Sequence, residues 1–221
     1  MPNHPVFDRE FNALFDELIK ARRTIRAFSD EVPPRGMIEE ILRAGLLAPY
    51  SPNSVGDEKH FRRFIVVERG GDARRRTAEL LQSSAQRASA RIEREMETDP
   101  RFKERGLAFA GILSRMASSG IPGFAGFPYY IVIAEKTGVP PVELRSLSHA
   151  MENMWLKATA LGLGFRLITA TVDLARDREF CELLGIPFGE FGLDGCVIGY
   201  PAADPGPSVR PGAAEVTRWI K

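Results

Sequence analysis

The sequence predicts an α+β fold in a single domain, and three observations carry that expectation. Short, β-branched runs at residues 62–68 (RRFIVVE), 129–135 (YYIVIAE) and 195–200 (GCVIGY) have the length and composition of buried strands. Between them lie longer segments whose apolar residues recur at helical spacing, most strongly Leu147, Met151, Met154, Trp155, Ala158 and Leu161. The chain has 221 residues, 44% hydrophobic and 27% charged, which suits one globular domain and is too apolar for a disordered chain.

Taken in order, Phe11, Leu14, Phe15, Leu18 and Ile19 predict an amphipathic helix over residues 8–20. A basic segment, residues 22–28, leads to Pro33-Pro34 and then to a second helix with Ile38, Ile41, Leu42 and Gly45 on one stripe, stopping near Pro49. Residues 50–56 (YSPNSVG) are rich in turn formers and are expected to hold no regular structure. The strands at 62–68 and 129–135 are expected to be buried on both faces, with helices over 72–98 and 99–118 between them. The many Arg and Glu residues of those helices read as a solvated face rather than a polyanion site. Residues 121–127 (IPGFAGF) are too glycine-rich for a helix and read as a loop covering a pocket. The periodic helix starts near Pro141 and ends at the Gly162/Gly164 pair, and its Met/Trp stripe reads as core. A helix over 176–184, the strand at 195–200 and an extended, proline-rich tail from Pro201 complete the chain. A tail of that kind on a one-domain protein suits contact with a partner subunit.

Composition excludes several function classes. Lys+Arg is 30 and Asp+Glu 29, a net charge of +1, so the chain is neither a general nucleic-acid binder nor anchored to a membrane by a basic tract. Cys181 and Cys196 make no disulfide framework and no CxxC pair, and His4, His60 and His149 are scattered, so no metal ligand set is expected. The first ten residues lack the apolar core of a signal peptide, and no stretch approaches the roughly 20 apolar residues of a membrane helix. The expectation is a cytoplasmic protein. His60, His149 and both cysteines are expected to be structural or surface residues.

Four short segments carry chemistry. Residues 21–28 (ARRTIRAF) place Arg22, Arg23 and Arg26 beside the Thr24 hydroxyl, just after a helix. Guanidinium forks suit a phosphate or carboxylate, although a solvated basic turn is an equal reading of these residues alone. Residues 48–53 (APYSPN) form a hydroxyl-bearing loop at a helix end. Residues 162–170 (GLGFRLITA) end a helix and free backbone N–H groups beside a strand, which suits the edge of a flat heteroaromatic ligand. The tail adds Arg210, within Ser208-Val209-Arg210-Pro211.

In their order and spacing these segments resemble the FMN-dependent nitroreductase family, over most of the chain. Arg22-Arg23-Thr24-Ile25-Arg26-Ala27-Phe28 is similar to the family's opening R-R/H-S-x-R/K-x-F, and Ala48 to Asn53 to its A-P-S-x-x-N loop. Ala158 to Gly164 matches A-x-x-x-G-L-G, with Asn153 and Leu156 at the family's N-x-x-L. Gly185-Ile186-Pro187 and Ile198-Gly199-Tyr200-Pro201 follow, and Ser208 to Pro211 stands for the closing K-x-R-x-P.

The resemblance implies a mainly antiparallel central sheet flanked by helices, in a homodimer with a domain-swapped C-terminal tail and FMN at the interface. It implies that Arg22, Thr24 and Arg210 hold the FMN phosphate, with Ser208 at the position of the family lysine and Arg23 near the ribityl chain. Arg26 would sit at the pyrimidine side of the ring, near N1 and the C2 carbonyl. Pro49, Tyr50 and Ser51 would reach the flavin from the opposite subunit, and Asn53 of the same loop would belong to the cofactor-binding set. The backbone of Leu167, Ile168, Thr169 and Ala170 would face the ring edge at N5. No side chain is expected to act as acid or base.

The chain departs from the family pattern at Ser208, which removes a cation, at Tyr50, Phe165 and Thr169, which replace smaller residues, and over residues 54–61, where the family's glutamine and tryptophan are missing. The implied activity is NAD(P)H oxidation with reduction of nitroaromatics, quinones or related small acceptors by a ping-pong cycle. The alternatives are another flavin-based redox role (dehalogenation, flavin fragmentation or dehydrogenation) and a non-enzymatic module that has lost FMN.

Overall fold

Several helices begin at an aspartate that accepts their first free N–H groups (Asp8, Asp99 and Asp177) or at a proline that lacks one (Pro52 and Pro100). In the computed structural model, which describes residues 8–220, Asp8 Oδ1 accepts the Phe11 N–H at 2.9 Å and starts α1 (Arg9–Ala21). His4 and the other opening residues lie outside the described span. α2 (Arg35–Leu46) follows Pro33-Pro34. The loop expected at 50–56 contains one helical turn, α3 (Pro52–Val55), because Pro52 at its first position has the φ a helix needs and Gly56, at φ +67°, ends it. β1 (Arg62–Glu68) leads to a long hairpin of helices, α4 (Gly71–Thr98) and α5 (Pro100–Ser119), which meet at the Asp99 cap.

Residues 121–127 are anchored by Ile121, Phe124 and Phe127, buried in the core around a 3-10 turn, Phe124–Gly126, and their exposed residues border a surface cavity against α4. β2 (Tyr129–Lys136), α6 (Glu143–Ala160) and β3 (Gly164–Leu167) follow, and Gly162, at φ +72°, takes the left-handed conformation expected after the helix. A 3-10 segment, Thr169–Arg176, precedes α7 (Arg178–Leu184), so the helix expected from 176 starts slightly later. β4 (Phe191–Gly199) begins at Phe191 rather than 195, since Phe191 to Asp194 pair with Lys136 to Ile133. The tail is extended but for one helical turn, α8 (Ala213–Val216), which its prolines do not foretell. Among the described residues, no helix is long and apolar enough to cross a membrane.

The sheet has the order β1-β2-β4-β3, every pair antiparallel. β2 lies between two strands and under helices on both sides, and is buried almost throughout. β1 is an edge strand and only partly buried, which corrects the expectation of burial on both faces. One core lies between the sheet and α4, α7 and the 3-10 segment, around Tyr130, Val132, Phe180 and Leu193. The other lies between the sheet and α2 and α6, around Ile41, Ile133, Met154 and Phe165. α2 approaches α6 so closely that a Cβ at Gly45 would stand 2.9 Å from Met154 Sδ.

Cys181 and Cys196 are buried in α7 and β4, and burial pushes both thiols up. His60 and His149 are on the surface. Two arginines expected on solvated or strand faces are buried. Arg62 bonds Glu135 Oε2 at 2.8 Å and the carbonyls of Gly45 and Ala48 at 2.9 and 3.1 Å. Arg74, on α4, donates to the carbonyls of Val67 and Phe127 at 2.8 and 3.1 Å and covers the rings of Phe124 and Tyr130. With no carboxylate beside it, burial pulls its pKa down to about 10.

Asp194 is the reverse case, a carboxyl on β4 opposite Ile133 whose described partner is the Gly195 N–H at 2.8 Å. Burial raises it from 3.8 to about 6. The folded state therefore keeps this proton to higher pH than the unfolded state does, and the stability it contributes below about pH 4 is lost as pH rises through 6. Asp194→Asn should leave stability near pH 4 unchanged and raise it at pH 8, by at most ~3 kcal/mol. Thermal melts at the two pH values check this, and equal shifts at both would sink it.

Candidate functional site

α1 ends at Arg22, whose backbone is extended (φ −59°, ψ 122°), and the segment that follows turns to the exposed edge of the sheet. Ile25 N–H donates to Phe165 O at 3.0 Å, Thr24 forms a parallel bridge with Phe165, and Phe28 pairs antiparallel with Pro201. Gly164 permits this approach, since a Cβ there would stand 2.9 Å from the Ile25 side chain. Residues 22–28 are thereby clamped between β3 and the start of the tail, and the tail folds back over them. Arg23 Nε donates to Gly206 O at 3.2 Å, and the Asp204 carboxylate holds that turn by accepting the Gly206 N–H at 2.9 Å.

The result is an open cavity of about 460 Å³. Arg22, Arg23, Thr24 and Arg26 line one wall, and Ser208 and Arg210, with Asp204, line the other. The phosphate-side residues expected from sequence, drawn from the two ends of the chain, thus face one space. Arg22 is held against α6. Its guanidinium lies over the Trp155 ring, 4.4 Å from the centroid, and Trp155 stacks in turn on Phe165 at 5.1 Å. Its Nε is 3.0 Å from Glu152 Oε1, but out of line for a hydrogen bond, so this buried N–H has no acceptor. Trp155 Nε1 donates to Arg23 O at 3.1 Å, which pins the segment to α6. The Met/Trp stripe is core at Met151, Met154 and Trp155, as expected, and Trp155 also supports the arginine segment.

Sequence reasoning missed Arg166. It is half-buried on β3, and burial together with the neighbouring Arg26 pulls its pKa down. The arginine within GFRLITA was visible, but only pairing of β3 against residues 24–25 puts it beside Arg26.

β3 connects this cavity to a second region. Leu167 pairs with Cys196, and Ile168 N–H donates to Gly195 O at 2.7 Å. Thr169 and Ala170 border an apolar cavity of about 270 Å³ against Phe109, Leu113 and Met116 of α5.

The remaining expected residues stand apart within one chain. Pro49 O accepts from Arg62, Tyr50 stacks on Phe61 with centroids 4.0 Å apart, Ser51 precedes α3, and Asn53 is exposed on it. None of the four lines the arginine cavity. The loop is tied to β2 and its neighbours through Lys136–Glu58 and through Val139 N–H to Ser54 O at 3.0 Å.

Comparison with known proteins gives a consistent family. Residues 19–200 match the model of the Nitroreductase family. No curated protein matches the chain. Among solved structures, a nitroreductase with bound FMN from Bacteroides fragilis is 23% identical, with TM-score 0.59, covering 93% of this chain and 97% of its own. A BluB-like flavoprotein from Clostridium difficile is 19% identical, with TM-score 0.68 and coverages of 94% and 99%. An iodotyrosine deiodinase bound to FMN and 3-iodo-L-tyrosine is 21% identical, with TM-score 0.67 and coverages of 93% and 98%. The TM-scores show a shared fold, and at these identities the fold alone.

Proposed function

The chain belongs to the nitroreductase family, and on that premise we propose that it is an FMN-dependent oxidoreductase. It takes electrons from NADH or NADPH and passes them to nitroaromatics, quinones or related small acceptors in a ping-pong cycle. The observation that carries this reading is the convergence of Arg22, Arg23, Thr24 and Arg26 with Arg210 on one cavity. The donor set suits a phosphate: several guanidinium forks, a hydroxyl and a buried Arg22 N–H without an acceptor. Ser208 lacks the charge of the lysine usual there, and the surrounding arginines supply it.

Bound FMN supplies the hydride chemistry at N5. The chain's own residues bind and orient. Arg22, Thr24 and Arg210 would hold the phosphate, with Arg23 both near it and tying the tail in place. Arg26, with Arg166 beside it, would set positive charge at the pyrimidine end of the ring, which favours electron uptake. Backbone groups of Leu167, Ile168, Thr169 and Ala170 would meet the ring edge. No acid or base is required of the protein, and none is assigned.

We read the enzyme as a single domain that works as a cytoplasmic homodimer. Pro49, Tyr50, Ser51 and Asn53 would complete the flavin site of the partner subunit, which agrees with their distance from the arginine cavity in their own chain. Exposed Leu14, Ile19, Trp219 and Ile220 supply apolar surface for such an interface.

An absorption spectrum of the purified protein, repeated after anaerobic addition of NADH or NADPH, tests the reading. A flavin spectrum that bleaches is expected. A flavin that binds but stays oxidised would support the second reading, another redox role such as dehalogenation, which the fold shared with the deiodinase keeps in view. Protein that neither carries nor binds FMN would overturn both.

A further inference from the structure

Three exposed arginines of α4 fit a solvated face, but they also border a cavity. Arg87, Arg91 and Arg94 recur at spacings of four and three, which puts them on one side of the helix. That side looks across to the 3-10 segment and Arg176, and the four guanidinium groups line a cavity of about 290 Å³. Arg87 is engaged by Asp177, 3.1 Å away. Among the described residues, Arg91, Arg94 and Arg176 have no carboxylate within ion-pair distance and no side-chain hydrogen bond. Glu93 and Glu95 do not line the cavity, and Asp173 is the one acid that does.

This basic cavity shares Ser84, Ala88, Arg91 and Asp173 with the apolar cavity already described. The shared wall makes one amphipathic cleft. Its apolar half, lined by Phe109, Ile112, Leu113 and Met116, reaches Thr169 and Ala170, and its far half holds unpaired positive charge. Uncompensated guanidinium groups at the end of an apolar slot suit a flat ligand with an anionic head.

We propose that the acceptor reduced by this protein is a small aromatic acid, its carboxylate (or an equivalent anion) held by Arg91, Arg94 and Arg176 and its ring lodged against Phe109 and Leu113. The assignment rests on the flavin reading above, since it is that reading which gives Thr169 and Ala170 their place at the reacting edge.

The test compares p-nitrobenzoate with its neutral analogue p-nitrobenzamide on the FMN-loaded protein, in parallel with calorimetric binding of naphthoate, which has no reducible group. Wild type should prefer the acid through a lower KM. In Arg91→Gln/Arg94→Gln, the KM for the acid and the Kd for naphthoate should each rise about tenfold or more, with a much smaller change in kcat. High salt should weaken naphthoate binding in wild type. Equal KM values for acid and amide in wild type, or an acid-to-amide ratio untouched by the double substitution, would overturn the proposal. A loss confined to NADPH, sparing NADH and the acid, would assign the cluster to the donor's phosphate and also overturn it. A flavin that no nicotinamide reduces defeats the oxidoreductase reading instead, and naphthoate binding still tests the cleft by itself.

Discussion

Arg62→Met should lower the free energy of unfolding by about 3–5 kcal/mol. Both partners of the Arg62–Glu135 pair are nearly inaccessible, with side-chain exposures of 1% and 2%. Removing the guanidinium leaves the Glu135 carboxylate buried without a cation, and it also takes a donor from the carbonyls of Gly45, Ala48 and Pro49, of which Gly45 O keeps the Ala48 N–H. Those carbonyls close the end of α2, where the helix has no donors of its own to offer. A double variant, Arg62→Met/Glu135→Leu, should recover much of the loss, because an apolar pair in that space costs less than an orphaned charge. Urea unfolding of the wild type, both single variants and the double gives the coupling directly. A single variant within about 0.5 kcal/mol of wild type would show that the pair contributes little. The same change should loosen residues 49–53, whose start hangs from these carbonyls, so a loss of flavin retention in parallel is expected.

Arg22→Ala should weaken FMN binding by about 1.5–3 kcal/mol, from roughly tenfold to more than a hundredfold in Kd. Arg22 is already held in place by the Trp155 ring and by Glu152, so little freedom is lost when an anion arrives. Arg22→Lys should restore little, since an ammonium neither stacks on the indole as a plane nor offers a fork. Arg210→Ala should cost less, because Arg210 lies on the exposed rim, where water and salt screen its charge. Titration of the flavin-free protein with FMN, followed by flavin fluorescence, measures all three. An unchanged affinity in Arg22→Ala would remove this residue from the phosphate site.

Local pattern was enough for most elements. The periodicity of Leu147, Met151, Met154 and Trp155 defined α6, and β-branched runs defined β1 and β2, because helix and strand periods are properties of neighbouring residues. The basic segment at 22–26 and the arginine of the tail were likewise visible as candidate anion ligands.

What no local pattern contains is which surfaces meet. The edge position of β1, the early start of β4 at Phe191 and the buried fate of Arg62 follow from strand order, which joins residues tens of positions apart. Arg62 and Arg74 look like any surface arginine until a carboxylate or a row of carbonyls is brought to them. Arg166 falls beside Arg26, and Arg91 and Arg94 face Arg176, only after β3 and the 3-10 segment have packed. Residue type and spacing decide what a side chain is able to bind. The surroundings that decide its charge, its burial and its partners are assembled only when distant segments close on one another, since desolvation and Coulomb energy depend on distance in space and not along the chain.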